Sequence, residues 1–114
     1  MKNTDAVASL AALAQDSRLE VFRLLVQAGP DGLPAGEVAT KLKLAPNTLT
    51  FHFDRLRDAG LVTVRRDGRS MIYAARFETM NELLGYLTEN CCEGAGSCAP
   101  AICVPAPKRK KTAA

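Results

Sequence analysis

The spacing of apolar residues predicts five helices and one β-hairpin. Up to Gly60, apolar positions recur every three or four residues, as in helices that pack on one side. After Gly60 the period shortens to two and β-branched residues appear, which is typical of a strand. The predicted helices are Asn3 or Thr4 to about Gln15, Arg18 (capped by Asp16 or Ser17) to about Ala28, Pro34 to about Leu42, Pro46 to Ala59, and Phe77 to about Glu89.

The fourth predicted helix has two different faces. Its apolar stripe repeats at i, i+4 and i+7 and consists of Leu49, Phe53 and Leu56. Pro46 suits the first helical position, and Gly60 suits the left-handed residue just past the end. Most of the remaining residues carry polar or charged groups suited to a surface contact. The residues predicted to lie off the stripe are Asn47, Thr48, Thr50, Phe51, His52 and Arg55.

The elements around this helix predict a winged helix-turn-helix. A three-residue turn, 43–45, joins it to the shorter helix before it, which is the helix-turn-helix arrangement. The hairpin that follows is predicted from strands 61–66 and 70–74 with an Asp67-Gly68 turn. Beside a recognition helix, three arginines on the hairpin favour contact with DNA phosphate or a minor groove, although a solvated arginine tip is the alternative. They are Arg65, Arg66 and Arg69.

The first and last helices carry more apolar residues than a small core needs. One face of the first helix carries Val7, Leu10 and Leu13. The last helix carries a wide apolar stripe from Phe77 to Leu87. We expect a homodimer through these terminal helices, with closure of the monomer core as the alternative. Two-fold pairing would set the recognition helices about one DNA turn apart, matching a palindromic operator. The expected fold class is mainly α with a β-hairpin wing (α+β).

Length and composition favour one DNA-binding and dimerisation domain, 1–89, followed by a flexible Cys-rich tail, 90–114. No apolar run of the 114 residues approaches the ~18 needed to span a bilayer, so no membrane contact is expected. The N-terminus lacks a signal peptide's apolar region, so we expect a cytoplasmic protein with reduced thiols. The net charge of +3 includes four cations at 108–111, so overall charge is weak support for nucleic acid.

Several segments together resemble the arsenic-responsive repressor family, ArsR–SmtB. Those segments are Leu10-Ala11-Ala12-Leu13, the run Ser17 to Leu25, Thr50-Phe51-His52-Phe53, the helix exit Arg57 to Val62, and Arg65-Arg66-Asp67-Gly68-Arg69 with Tyr73. The resemblance covers about residues 5–90. It implies a dimeric winged helix-turn-helix repressor that leaves its operator when an inducer binds, with no cofactor needed for DNA binding.

Two positions depart from the family pattern. Ala45 replaces the usual serine cap, which leaves the first N–H groups of the helix freer for phosphate. Phe53 replaces leucine, which we expect to be a simple packing change. By position, the resemblance implies that base or phosphate contacts come from Asn47, Thr48, Thr50 and His52.

All four cysteines lie in the tail, at Cys91, Cys92, Cys98 and Cys103. Soft thiolates select thiophilic ions, and trivalent arsenic or antimony takes three ligands in a pyramid. The adjacent pair can supply two ligands and the 93–97 loop can fold Cys98 back as the third, with Cys103 as a spare or substitute. Disulfides, a zinc or cadmium site and inert cysteines are the alternatives.

Other metal sites known in the family lack their ligands in this sequence. The helix at 36–42 has no cysteine, and the last helix has no histidine. The chain resembles instead the branch whose paired cysteines follow the last helix, with a third six residues on. That resemblance implies a response to arsenite and antimonite, or to methylated arsenicals when two thiolates suffice.

Non-repressor functions are weaker alternatives. A thiol metallochaperone or redox module would use the cysteines without a palindromic DNA site. We do not expect an enzyme, because the chain has no Cys–His pairing, no phosphate-binding glycine loop and no clustered carboxylates. The basic run Lys108-Arg109-Lys110-Lys111 could add nonspecific DNA affinity, or could be a solvated tail.

Overall fold

The computed structural model describes residues 1–90. The predicted inducer site, Cys91, Cys92, Cys98 and Cys103, and the tail from 91 to 114 lie outside the described residues. Within that range, none of the helices is long and apolar enough to cross a membrane. The elements in chain order are α1 (Asn3–Leu13), α2 (Asp16–Ala28), β1 (Leu33–Pro34), α3 (Ala35–Leu42), α4 (Pro46–Asp58), β2 (Val62–Asp67), β3 (Ser70–Ala75) and α5 (Phe77–Leu87).

The five predicted helices and the hairpin are confirmed, and one strand is additional. The antiparallel sheet has the order β1-β3-β2, with Leu33 opposite Tyr73 and Pro34 opposite Ile72. The turn before β1 requires glycine at position 32, where φ is +74° and a Cβ would run into the Tyr73 carbonyl oxygen. This close approach seats β1 against the hairpin.

The junction between α1 and α2 is held by two hydrogen bonds from Arg18. Its backbone N–H donates to the Gln15 side-chain oxygen at 2.8 Å, so Gln15, rather than Asp16 or Ser17, is the cap of α2. The Arg18 Nε donates to the Ala12 carbonyl oxygen at 2.6 Å. One arginine therefore connects the end of α1 with the start of α2.

The core lies between α2, α3, α4 and the sheet. Phe53 of α4 is 1% exposed and stacks on Tyr73 of β3, with ring centroids 3.6 Å apart and an interplanar angle of 5°. Leu25, Leu56 and Leu61 are fully buried around this pair. The expectation of a simple packing change at Phe53 was therefore incomplete, because the residue supplies half of an aromatic stack.

Both ends of α4 have well-defined chain geometry. Lys43 adopts the left-handed conformation, with φ of +56°, and so turns the chain between α3 and α4. At the far end, Gly60 donates to the Arg57 carbonyl at 2.9 Å and Leu61 donates to the Leu56 carbonyl at 2.9 Å. This is the Schellman pattern, and the φ of +75° at Gly60 explains why a glycine stands there.

The hairpin turn lies one residue later than predicted. Asp67 pairs with Ser70 as the last pair of the ladder, so the two loop residues are Gly68 and Arg69 instead of Asp67 and Gly68. Gly68 has a φ of +63°, as expected for glycine at the first loop position of a type II′ turn. Arg69 is consequently placed at the tip.

The terminal helices leave apolar residues exposed. Val7 and Leu10 of α1 and Leu87 of α5 are 56%, 43% and 54% exposed, whereas Ala6 and Ser9 are the buried residues of α1. The Tyr86 hydroxyl donates to the Asn3 Oδ1 at 3.0 Å and joins the end of α5 to the start of α1. Closure of the monomer core does not account for these three residues.

The aromatic stack yields a paired stability prediction. We expect Phe53→Ala to lower the free energy of unfolding by about 3–5 kcal/mol, since it opens a cavity in the core. Phe51→Ala, on the exposed side of the same helix, should change it by less than about 1 kcal/mol. Urea unfolding followed by circular dichroism measures both, and equal losses for the two variants would contradict the assignment of Phe53 to the core.

Candidate nucleic-acid interface

Helix α4 presents a buried side and an exposed side, as the apolar stripe predicts. Leu49, Phe53 and Leu56 are buried in the core. The exposed side carries five of the six residues predicted to lie off the stripe. They are Asn47, Thr48, Thr50, Phe51 and Arg55.

The start of α4 has no side-chain cap. Ala45 has no side-chain acceptor and Pro46 has no N–H, while the Ala45 carbonyl accepts from the Leu49 N–H at 2.9 Å. The Thr50 hydroxyl donates back to the Pro46 carbonyl oxygen at 3.0 Å. The N–H groups of the first turn therefore point out of the helix, where its dipole favours an anion.

His52 was predicted to lie off the stripe, and this prediction is wrong. Its side chain is only 5% exposed, and its Nδ1 has no hydrogen-bond partner among residues 1–90. Burial, and secondarily the positive charge of Arg18, lower the pKa of His52 below its usual 6.5. His52 thus lies inside the protein as a neutral ring, and its position does not suit a base contact.

The arginine side chains of the wing point in different directions. Arg65 and Arg66 are consecutive residues of β2, so their side chains leave opposite faces of the sheet. The Arg66 Nε donates to the Gly68 carbonyl at 3.4 Å, and Arg69 is at the exposed tip. Between residues 1 and 90, the one ion pair within 4.0 Å joins Lys41 to Glu37, so no carboxylate in that range forms an ion pair with a wing arginine.

Phe51 is a residue that motif matching did not select as a contact. Its side chain is 49% exposed, and the Cζ of Arg55 lies over its ring, 5.0 Å from the centroid. Helical spacing gave the signal, because Phe51 follows Asn47 by four residues and precedes Arg55 by four. The aromatic ring and the guanidinium form one exposed unit on α4.

The part of the chain that the structure describes holds no cluster of three or more histidine, cysteine, aspartate or glutamate side chains placed to bind a metal ion. All four cysteines follow Asn90 in the sequence. Any site built on thiolates therefore draws its ligands from beyond α5.

The arrangement of α3, α4 and the hairpin defines a class of proteins, the winged helix-turn-helix DNA-binding domains. Residues 13–65 match a sequence family described as Helix-turn-helix domain. The chain is 38% identical over 77 residues to the uncharacterized HTH-type transcriptional regulator YceK of Bacillus subtilis. That match covers 67% of this chain and 76% of YceK.

Two solved structures are similar over most of the chain. The ArsR-like transcriptional regulator from Rhodococcus sp. RHA1 has a TM-score of 0.69 at 25% identity, covering 80% of this chain and 83% of that one. HlyU from Vibrio cholerae has a TM-score of 0.61 at 32% identity, covering 76% and 97%. The chain belongs to the ArsR family of winged helix-turn-helix transcriptional regulators. Membership confirms the resemblance and favours a DNA-binding regulator over a metallochaperone or redox module.

Burial of the single histidine yields a pH prediction. Since the pKa of His52 is lower in the folded chain than in the unfolded chain, the unfolded chain takes up the proton first as the pH falls. The free energy of unfolding of the wild type should therefore decrease as the pH drops below about 6.5. His52→Leu should lose this decrease, which urea unfolding at a series of pH values measures.

The presence of a single histidine in the chain makes the comparison of the two proteins a controlled one. His52 is the only histidine, and every other titratable group is the same in the wild type and in His52→Leu. Superimposable stability profiles for the wild type and His52→Leu between pH 7 and pH 5 would contradict the burial of a neutral His52.

Proposed function

We propose that the chain is a repressor that binds a palindromic operator as a homodimer and releases it when trivalent arsenic or antimony binds tail thiolates. The observation that carries the DNA-binding half is the exposed, uncapped start of α4, together with the exposed arginines of the wing. The proposed contacts are side chains that the structure leaves accessible. They are Asn47, Thr48, Thr50, Arg55, Arg69 and one of the pair Arg65 and Arg66, whose side chains leave opposite faces of β2.

Exposure of apolar residues on the terminal helices supports the homodimer. Val7, Leu10 and Leu87 lie on α1 and α5, whose ends are already joined by the bond from Tyr86 to Asn3. A second copy would remove these side chains from water. A winged helix-turn-helix DNA-binding domain from Mycobacterium bovis, at a TM-score of 0.62 and 21% identity, is described as homodimeric.

Thiol chemistry supports the inducer. Cys91 follows Asn90 directly, only a few residues past the end of α5 at Leu87. Cys91, Cys92 and Cys98 would supply three soft ligands to a trivalent metalloid, with Cys103 as a spare. A solved protein of the same fold is described as a possible transcriptional regulator for arsenical resistance.

The helices provide a route from the tail to the DNA-binding unit. Ligand binding by the pair after α5 would displace the end of that helix, and the Tyr86–Asn3 hydrogen bond would transmit the displacement to α1. Helix α1 in turn packs against α4. Release follows if the inducer favours a dimer with a different spacing between the two recognition helices, since only differential affinity shifts such an equilibrium.

The alternation of side chains between the two faces of β2 yields a prediction about DNA binding by the wing. Arg69→Ala should weaken DNA binding and lower the slope of log affinity against log salt by about 0.9, the value for one phosphate contact. Of Arg65→Ala and Arg66→Ala, only one should produce a comparable change, because their side chains leave opposite faces. Fluorescence anisotropy across a salt series measures the slopes.

Arg23→Ala is the matched control for the wing variants. Arg23 is an exposed arginine on α2, beside a groove between α2 and α5, away from the hairpin. Its removal should leave the salt slope unchanged. A slope that falls equally for Arg23→Ala and Arg69→Ala would mean that general charge, and not the wing, binds the phosphates.

The thiol assignment is tested by inducer release. With reduced protein on its own upstream DNA, Cys91→Ala, Cys92→Ala and Cys98→Ala should each raise the arsenite concentration for half-release by about tenfold or more. Cys103→Ala is the matched control and should release DNA like the wild type. Antimonite, methylarsenite, cadmium and zinc in parallel titrations identify the preferred ion, and wild-type release by a variant lacking the first three thiols would exclude the tail site.

A further inference from the structure

We propose that Phe51 contacts the 5-methyl group of a thymine in the major groove, a role that rests on the operator binding proposed above. Phe51 lies about 160° around the helix axis from Leu49, and so points almost directly away from the core. Nearly half of its side chain, 49%, is exposed. An aromatic ring in that position contributes little to the fold and is available to a partner.

The charges along the exposed side of α4 place Phe51 within the DNA-facing half. Asn47 and Thr48 precede it by about one turn, whereas the carboxylates of Asp54 and Asp58 follow it, all of them exposed. DNA phosphates repel carboxylates, so the N-terminal half of the helix is the part that enters the groove. Phe51 is the last outward residue before Asp54, the first carboxylate of the helix, and Arg55 follows as a cation that can still reach a phosphate.

Arg55 orients the ring. Its guanidinium carbon lies over the Phe51 ring, 5.0 Å from the centroid, which is within the range of a cation–π contact. No carboxylate among residues 1–90 forms an ion pair with Arg55. The guanidinium therefore restricts the ring while its charge remains available for a phosphate.

The chemistry of the groove selects the ligand. In the major groove, the edges of the four bases expose hydrogen-bond donors and acceptors, and thymine also exposes an apolar methyl group. A phenyl ring against a donor or acceptor would remove water from it without replacing the hydrogen bond. Against the methyl group the ring removes apolar surface from water, which is favourable.

The test replaces thymine by uracil, which removes only the methyl group. After footprinting locates the operator, each thymine is replaced in turn, at both symmetry-related sites, and binding is measured by fluorescence anisotropy. For the wild type, we expect one thymine per half-site at which replacement weakens binding about fourfold per methyl group. Phe51→Ala should bind the thymine operator more weakly and show no loss with uracil.

Two variants separate methyl recognition from other effects. Phe51→Leu keeps an apolar side chain and should retain part of the sensitivity to uracil at the same position. Leu19→Ala removes an exposed apolar residue of α2, at 43% exposure, and should keep the full wild-type sensitivity. Unfolding measurements on Phe51→Ala confirm that the variant is folded.

Three results would overturn the proposal. In the first, the wild type binds every uracil operator as tightly as the thymine operator. In the second, Phe51→Ala loses as much affinity with uracil as the wild type does. In the third, analytical ultracentrifugation shows that Phe51→Ala shifts from dimer to monomer, which would place the ring in a protein interface. Each of these leaves operator binding itself intact. Absence of wild-type binding to any upstream DNA would instead refute the proposed repressor function as well.

Discussion

The stacking of Phe53 on Tyr73 fixes the recognition helix against the wing. Phe53 belongs to α4, and Tyr73 is the β3 residue that faces Leu33 on one side of the ladder and Val64 on the other. The pair therefore joins α4 to all three strands through one buried contact. Because helix and wing form a single packed unit, we expect the proposed inducer to move the whole unit and to leave the angle between its parts unchanged.

Most of the fold follows from local sequence signals, because each helix has its own apolar period and its own end residues. The Gly60 exit from α4 and the apolar stripe of Leu49, Phe53 and Leu56 were predictable for that reason. Strand β1 was not, because two residues have no alternation and their pairing depends on a distant strand. The one-residue shift of the hairpin turn has a similar cause, since the ladder register selects which residues form the loop.

His52 shows how residue type can mislead where spacing would not. It follows Leu49 by three residues and precedes Leu56 by four, so helical geometry places it beside the buried stripe. Its polar ring suggested an outward contact, yet the tertiary packing encloses it. The exposed residues of α4 could be predicted because their helical positions lie away from the apolar stripe. The proposed inducer chemistry rests on thiol spacing alone, since all four thiols follow Asn90.

The closeness of Arg18 and His52 constrains how this sequence can evolve. Arg18 holds the end of α1 through the Ala12 carbonyl, and its charge disfavours a second cation at position 52. Loss of the arginine would remove only the smaller of two barriers to a cation at position 52, because burial of the side chain still disfavours a charge there. The effect of a charged substitution at position 52 should accordingly depend on whether Arg18 is present, although the two positions lie more than thirty residues apart in the chain.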